Sequence, residues 1–155
     1  MAEVKESIEV SVPVSTAYNQ WTQFEEFPKF MENVESVTQL DDTHLRWIAE
    51  VGGKREEWKA EITHQEPDRV IAWRSVEGRD NSGRVEFESI GVDRTRIDVT
   101  MTWEPEGFTE AAADKLGFSD RAVKVDLERF KDLIESLGVE SGAWRGEVVE
   151  GRRID

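Results

Sequence analysis

The sequence predicts an α+β fold in which a seven-stranded antiparallel sheet wraps around a long C-terminal helix, with two short helices after the first strand. Three observations carry this prediction. Apolar and polar residues alternate with a period of two through most of the chain, which describes half-buried strands and not helices. Four of the six tryptophans, Trp47, Trp58, Trp73 and Trp103, fall on the same dry parity of successive segments. Near the C-terminus, Val123, Leu127, Phe130, Ile134 and Leu137 recur at spacings of three and four, the stripe of one buried helical face. An antiparallel sheet with one wet and one dry face gives such clean alternation, whereas a parallel sheet covered on both sides reads as continuous apolar runs.

The elements follow in order. Val4 to Val12 reads as the first strand, and Pro13 ends it. Ser15 and Thr16 are positioned to cap a helix carrying Ala17, Tyr18, Trp21 and Phe24. Pro28 confines Phe24 to Met31 to a short helical turn that presses Phe27, Phe30 and Met31 onto the sheet. Val34 to Leu40 is the next strand, and Asp41-Asp42 is a turn. Leu45, Trp47, Ala49 and Val51 alternate inward, and Gly52-Gly53 is a hairpin signal leading to Trp58, Ala60, Ile62 and His64. Ile71, Trp73 and Ser75 continue the pattern, as do Val85 and Phe87, then Ile97, Val99, Met101 and Trp103. Pro67-Asp68, Gly78 to Gly83 and Gly91 to Arg94 punctuate these strands. Thr109 to Leu116 reads as a helical segment, and Ser119 caps the long helix that Gly138 stops. Residues 1–138 therefore form one domain. Residues 139–155, Gly-rich and charged, are expected to be a loosely ordered tail.

Composition narrows the function classes. With 155 residues the chain supports a single core. A net charge of −14 repels phosphate backbones, so nucleic acid is not an expected partner. No apolar run is long enough for a membrane-spanning helix and no signal-peptide pattern is present, so the protein is expected in the cytoplasm. The absence of cysteine excludes disulfides and thiolate metal sites, and His44 and His64 form no metal-ligand motif. Neither a G-x-S-x-G elbow nor a phosphate-binding loop occurs, and no cofactor is implied.

Several short motifs lie in a telling order: Val12-Pro13-Val14-Ser15 leading to Trp21, Phe24 to Val37, Ala72-Trp73-Arg74-Ser75 with Gly78, and Gly83 to Phe87. Thr95-Arg96-Ile97, Glu104 to Gly107 and Asp126 to Lys131 complete the series. Together they resemble the START-like superfamily, and within it the polyketide cyclase/dehydrase and quinone-binding Coq10-type branch. The resemblance implies the helix-grip fold, with a cavity for a hydrophobic or aromatic small molecule between the sheet and the long helix. Aromatase/cyclases that resemble this chain place an arginine two residues past the serine of a W-x-S motif, where it orients a carbonyl. Here that position is Glu77, and a carboxylate cannot stabilise a developing oxyanion.

The candidate ligand-binding set is Trp47, Trp58, Ile62, His64, Trp73, Ser75, Phe87, Met101, Trp103 and Phe130. Plain packing accounts for any one of these aromatics, and the case for a lining rests on the set. Ser75 and His64 are polar on an apolar parity and need partners from ligand, water or backbone. Ser75 and Glu77 are the catalytic candidates. Three functions remain open at this level. The first is binding of a lipid, quinone or polyketide-like molecule. The second is polyketide aromatase/cyclase or dehydrase activity, and the third is a protein-interaction or stress-related module built on the acidic surface and the tail around Trp144.

Overall fold

A computed structural model describes residues 2–31, 34–51, 54–78, 81–103 and 120–154. The chain runs β1 (Ala2–Val10), α1 (Val14–Trp21), a 3-10 helix (Phe24–Lys29), β2 (Val34–Gln39), β3 (His44–Val51), β4 (Lys54–Glu66), β5 (Val70–Glu77), β6 (Asn81–Gly91), β7 (Arg94–Trp103) and α2 (Asp120–Leu137). Two further short strands, β8 (Val148–Val149) and β9 (Arg152–Arg153), follow. The main path of the sheet is β1-β7-β6-β5-β4-β3-β2, so β2 to β7 form the expected antiparallel meander and β1 closes on its last strand. α2 packs across β1, and Val123, Leu127, Phe130 and Ile134 are buried as the stripe predicts. Leu137 is not, because the last turn of the helix is exposed before Gly138 (φ 71°) ends it.

The expected alternation holds in β3, β6 and β7. On the outer face, ion pairs such as Arg46–Glu57 and Arg96–Asp98 link residues that the pleat turns to solvent. Exposed pairs of this kind add little stability each, and they keep the sheet's wet face wet.

The structure corrects four further readings. α1 begins directly after Pro13, whose extended backbone (φ −60°, ψ 154°) sets the entry, and no side chain caps it; Ser15 and Thr16 lie inside the helix. His64 does not point inward. A bulge shifts the β4–β5 register between Ile62, paired with Trp73, and His64, paired with Ala72. The extra residue reverses the parity of the rest of β4, so His64 is half-exposed and Gln65 is fully buried in its place. A second register shift falls between Lys59, paired with Glu77, and Ala60, paired with Ser75, and Glu77 is exposed there.

The segment after Gly138 is the fourth correction. β8 pairs with His64 and Gln65 of β4, Val148 is fully buried, and β9 folds back on β8. Two-residue strands carry no periodicity, so nothing in the local pattern announces them. The expected hairpin turn at Gly52-Gly53, the helix from Thr109 to Leu116 and the cap at Ser119 lie outside the described residues.

Candidate ligand-binding interior

The register of the meander assembles the aromatic wall. Trp47 of β3 lies opposite Trp58 of β4, with ring centroids 5.8 Å apart and planes at 10°. Trp47 also stacks on Trp73 of β5, at 6.2 Å and 23°. All three indoles are buried. The space for Trp73 is made by Gly83, its partner on β6: a Cβ there would collide with Trp73 Cζ2 and stand 2.9 Å from Met101 Sδ. Glycine is thus required at Gly83 by the indole lying across it and not by backbone conformation.

A second aromatic cluster joins this wall to the helices. Trp21 of α1 packs against Phe130 of α2 at 4.7 Å, against Phe30 at 5.5 Å and against Phe87 of β6 at 6.2 Å. Phe27 connects the two groups, 5.9 Å from Trp21 and 5.5 Å from Trp47. Tyr18 meets Phe87 edge-on at 5.4 Å. The interior is therefore one continuous aromatic body running from the Trp stack, through the 3-10 helix, to α1 and α2.

Its polar groups are few. Trp21 Nε1 and Trp47 Nε1 are buried without a hydrogen-bond partner among the described residues, and the buried Tyr18 phenol has the Gln65 amide beside it. Burial pushes the Tyr18 phenol up to about 12, partly offset by the nearby Gln65 amide and the Arg145 guanidinium. The unfolded phenol loses its proton from about pH 10 while the folded one keeps it, so this contribution is intact below pH 10 and is lost as pH rises toward 12. Tyr18→Phe is accordingly expected to flatten the alkaline limb of the stability curve between pH 10 and 12, a difference of about 2 kcal/mol at its upper end. Denaturant melts of both proteins across that range measure it. Parallel curves would place the phenol in an ordinary, solvated environment.

Of the candidates drawn from sequence, Trp47, Trp58, Ile62, Trp73, Phe87, Met101 and Phe130 are all buried in this body. Trp103 ends β7, and its side chain lies outside what the structure describes. Ser75 sits half-buried at the mouth of the β5–β6 hairpin, where its Oγ accepts a 3.0 Å hydrogen bond from the Asn81 backbone N–H. A backbone partner thus answers the question its parity raised. Glu77 is exposed and His64 pairs loosely with Glu66 at 3.8 Å, so neither joins the aromatic body. Sequence reasoning omitted Gln65 from the site because the bulge that turns it inward has no sequence signal of its own, and it assigned Tyr18 and Trp21 only to packing.

Residues 10–132 match the sequence profile of the family described as polyketide cyclase/dehydrase and lipid transport. The chain belongs to that family. It is also 50% identical over 150 residues to an uncharacterized 17.2 kDa protein of Streptomyces lincolnensis, covering 96% of this chain and 100% of the relative. A protein from Deinococcus radiodurans shares 29% identity at a TM-score of 0.70, covering 89% of this chain and 100% of its own. The Zhui aromatase/cyclase of a Streptomyces species aligns over 92% of this chain and 99% of its own at 18% identity and a TM-score of 0.71. A START superfamily protein of Mycobacterium smegmatis aligns over 87% and 98%, at 15% identity and a TM-score of 0.72. These neighbours establish the START-like helix-grip fold for this polyketide cyclase/dehydrase family member. Among the described residues no helix is long and apolar enough to cross a membrane.

Proposed function

We propose that the protein binds a hydrophobic or aromatic small molecule, of lipid, quinone or polyketide-like chemistry, in the interior between the sheet and α2. One observation carries the reading. Buried donors at Trp21 Nε1 and Trp47 Nε1 lie without acceptors among the described residues, in a body that is mostly aromatic and apolar. A buried donor left unmade costs roughly 1–3 kcal/mol, and a ligand oxygen would recover that cost. No charged side chain of the described residues is buried, so the ligand favoured is neutral. An ionised group would enter without a counter-charge.

Cyclase or dehydrase chemistry ranks second, because the exposure of Glu77 and the backbone bond to Ser75 leave no described acid–base pair facing the interior. The deciding experiment is native mass spectrometry of gently purified protein, followed by organic extraction and mass analysis. A stoichiometric neutral adduct is the expected result, accompanied by saturable quenching of tryptophan fluorescence when the extracted compound is added back. Saturable binding of anionic fatty acids in preference to neutral quinones or aromatics would overturn the choice of ligand class.

A further inference from the structure

We propose that residues 139–154 form a latch that holds α1 over one end of the interior and sets the rate at which a ligand exchanges. The inference rests on the ligand-binding reading above. The family match ends at residue 132, before this segment begins. It crosses the outer side of α1, whose inner side carries Tyr18 and Trp21 into the aromatic body.

The fastenings are specific. Asn19 Nδ2 donates to Glu140 at 2.7 Å, the Ser141 backbone N–H donates to Gln20 Oε1 at 2.8 Å, and the Trp144 N–H donates to Thr22 Oγ1 at 3.1 Å. The three side chains that meet the latch, Asn19, Gln20 and Thr22, are all buried. They therefore turn a polar helix face toward the latch that would otherwise need water. Arg145 is the bolt. One guanidinium nitrogen donates to Asn19 Oδ1 at 2.6 Å and the other to Asp68 Oδ2 at 2.8 Å, tying α1 to the turn after β4. The same guanidinium lies 5.7 Å from the Tyr18 ring centroid. Beyond it, β8 joins β4 and the Gly151 N–H donates to Thr63 O at 3.0 Å.

α1 is only eight residues long, too short to persist without tertiary support. Its position depends on the aromatic contacts inside and the latch outside. Releasing the outer fastenings leaves a short helix whose swing exposes Tyr18, Trp21 and Phe87. Low-stability elements of this kind are where proteins open locally.

The test uses the full-length chain with Arg145→Ala and a milder Arg145→Lys, which keeps the cation and loses the two-pronged fork. Stopped-flow tryptophan quenching by a neutral naphthoquinone gives association and dissociation rates. Hydrogen exchange reports on the α1 amides. A gate speeds both directions, so Arg145→Ala is expected to raise both rates about tenfold, with Kd held within about twofold, since charge-assisted hydrogen bonds are lost. Exchange of the α1 amides should rise with them, and Arg145→Lys should fall between. Unchanged rates in Arg145→Ala while wild type binds the quinone would overturn the latch and leave the ligand reading standing. A rise in the dissociation rate alone would overturn it too, making Arg145 part of the binding wall. Wild-type protein that shows no saturable quenching would instead remove the ligand reading, and the rate-setting role with it.

Discussion

Phe130→Ala is expected to be the most damaging single truncation in the domain, with a loss of about 3–5 kcal/mol. Phe130 is fully buried and is the point at which α2 meets both short helices, 4.7 Å from Trp21 and 5.1 Å from Phe30. Rings pinned from two other elements cannot close over the space left behind, so the cavity cost adds to the lost burial. Against a total stability of about 5–15 kcal/mol for a domain, that is a large fraction. Thermal melting should fall by roughly 10 °C. A drop of only one or two degrees would mean that α2 is not seated on α1 as described.

Gly83→Ala follows in size and is more informative about the site. The new methyl would meet Trp73 Cε2 at 2.7 Å and collide with Cζ2, ring atoms that cannot yield by a rotamer change of a flexible chain end. Met101 Sδ at 2.9 Å closes the other side. Trp73 must move, and its stacking on Trp47 must move with it. Overpacking of this kind costs about 1–3 kcal/mol. The expected result is a stability loss in that range together with weaker quinone binding and an altered tryptophan circular dichroism in the near ultraviolet. Gly83→Ala that melts and binds like wild type would show that Trp73 does not lie across β6.

The distribution of what was legible in the sequence has physical causes. Strands with a strict period of two placed Trp47, Trp58, Trp73, Phe87 and Met101 correctly because a pleated strand allows no other arrangement until the register slips. The slip at Thr63 is such a case. It costs one residue, leaves composition untouched, and exchanges His64 for Gln65 as the inward group. The helical stripe was legible from Val123 to Ile134 because four successive turns bury the same face, and it failed at Leu137, where the helix outruns its cover. The latch was not legible at all. Its anchors on Asn19, Gln20, Thr22 and Asp68 are contacts between residues more than 70 positions apart, and local patterning is silent about those. For the site, the aromatic lining was readable from parity, while the short list of unpartnered donors needed the packed interior.

The pairing of β8 with β4 bears on how the protein stays dispersed. β4 is 13 residues long and β3 only eight, with His44 of β3 opposite Glu61. The part of β4 beyond Ile62 would present its amides and carbonyls on that side as an open strand edge, the template on which chains associate edge to edge. β8 occupies that edge at His64 and Gln65, and the exposed arginines of β9 form its outer border. A chain shortened to Gly138 would carry the bare edge, beside the newly exposed amide of Gln65, and would be prone to self-association whether or not its interior still held a ligand.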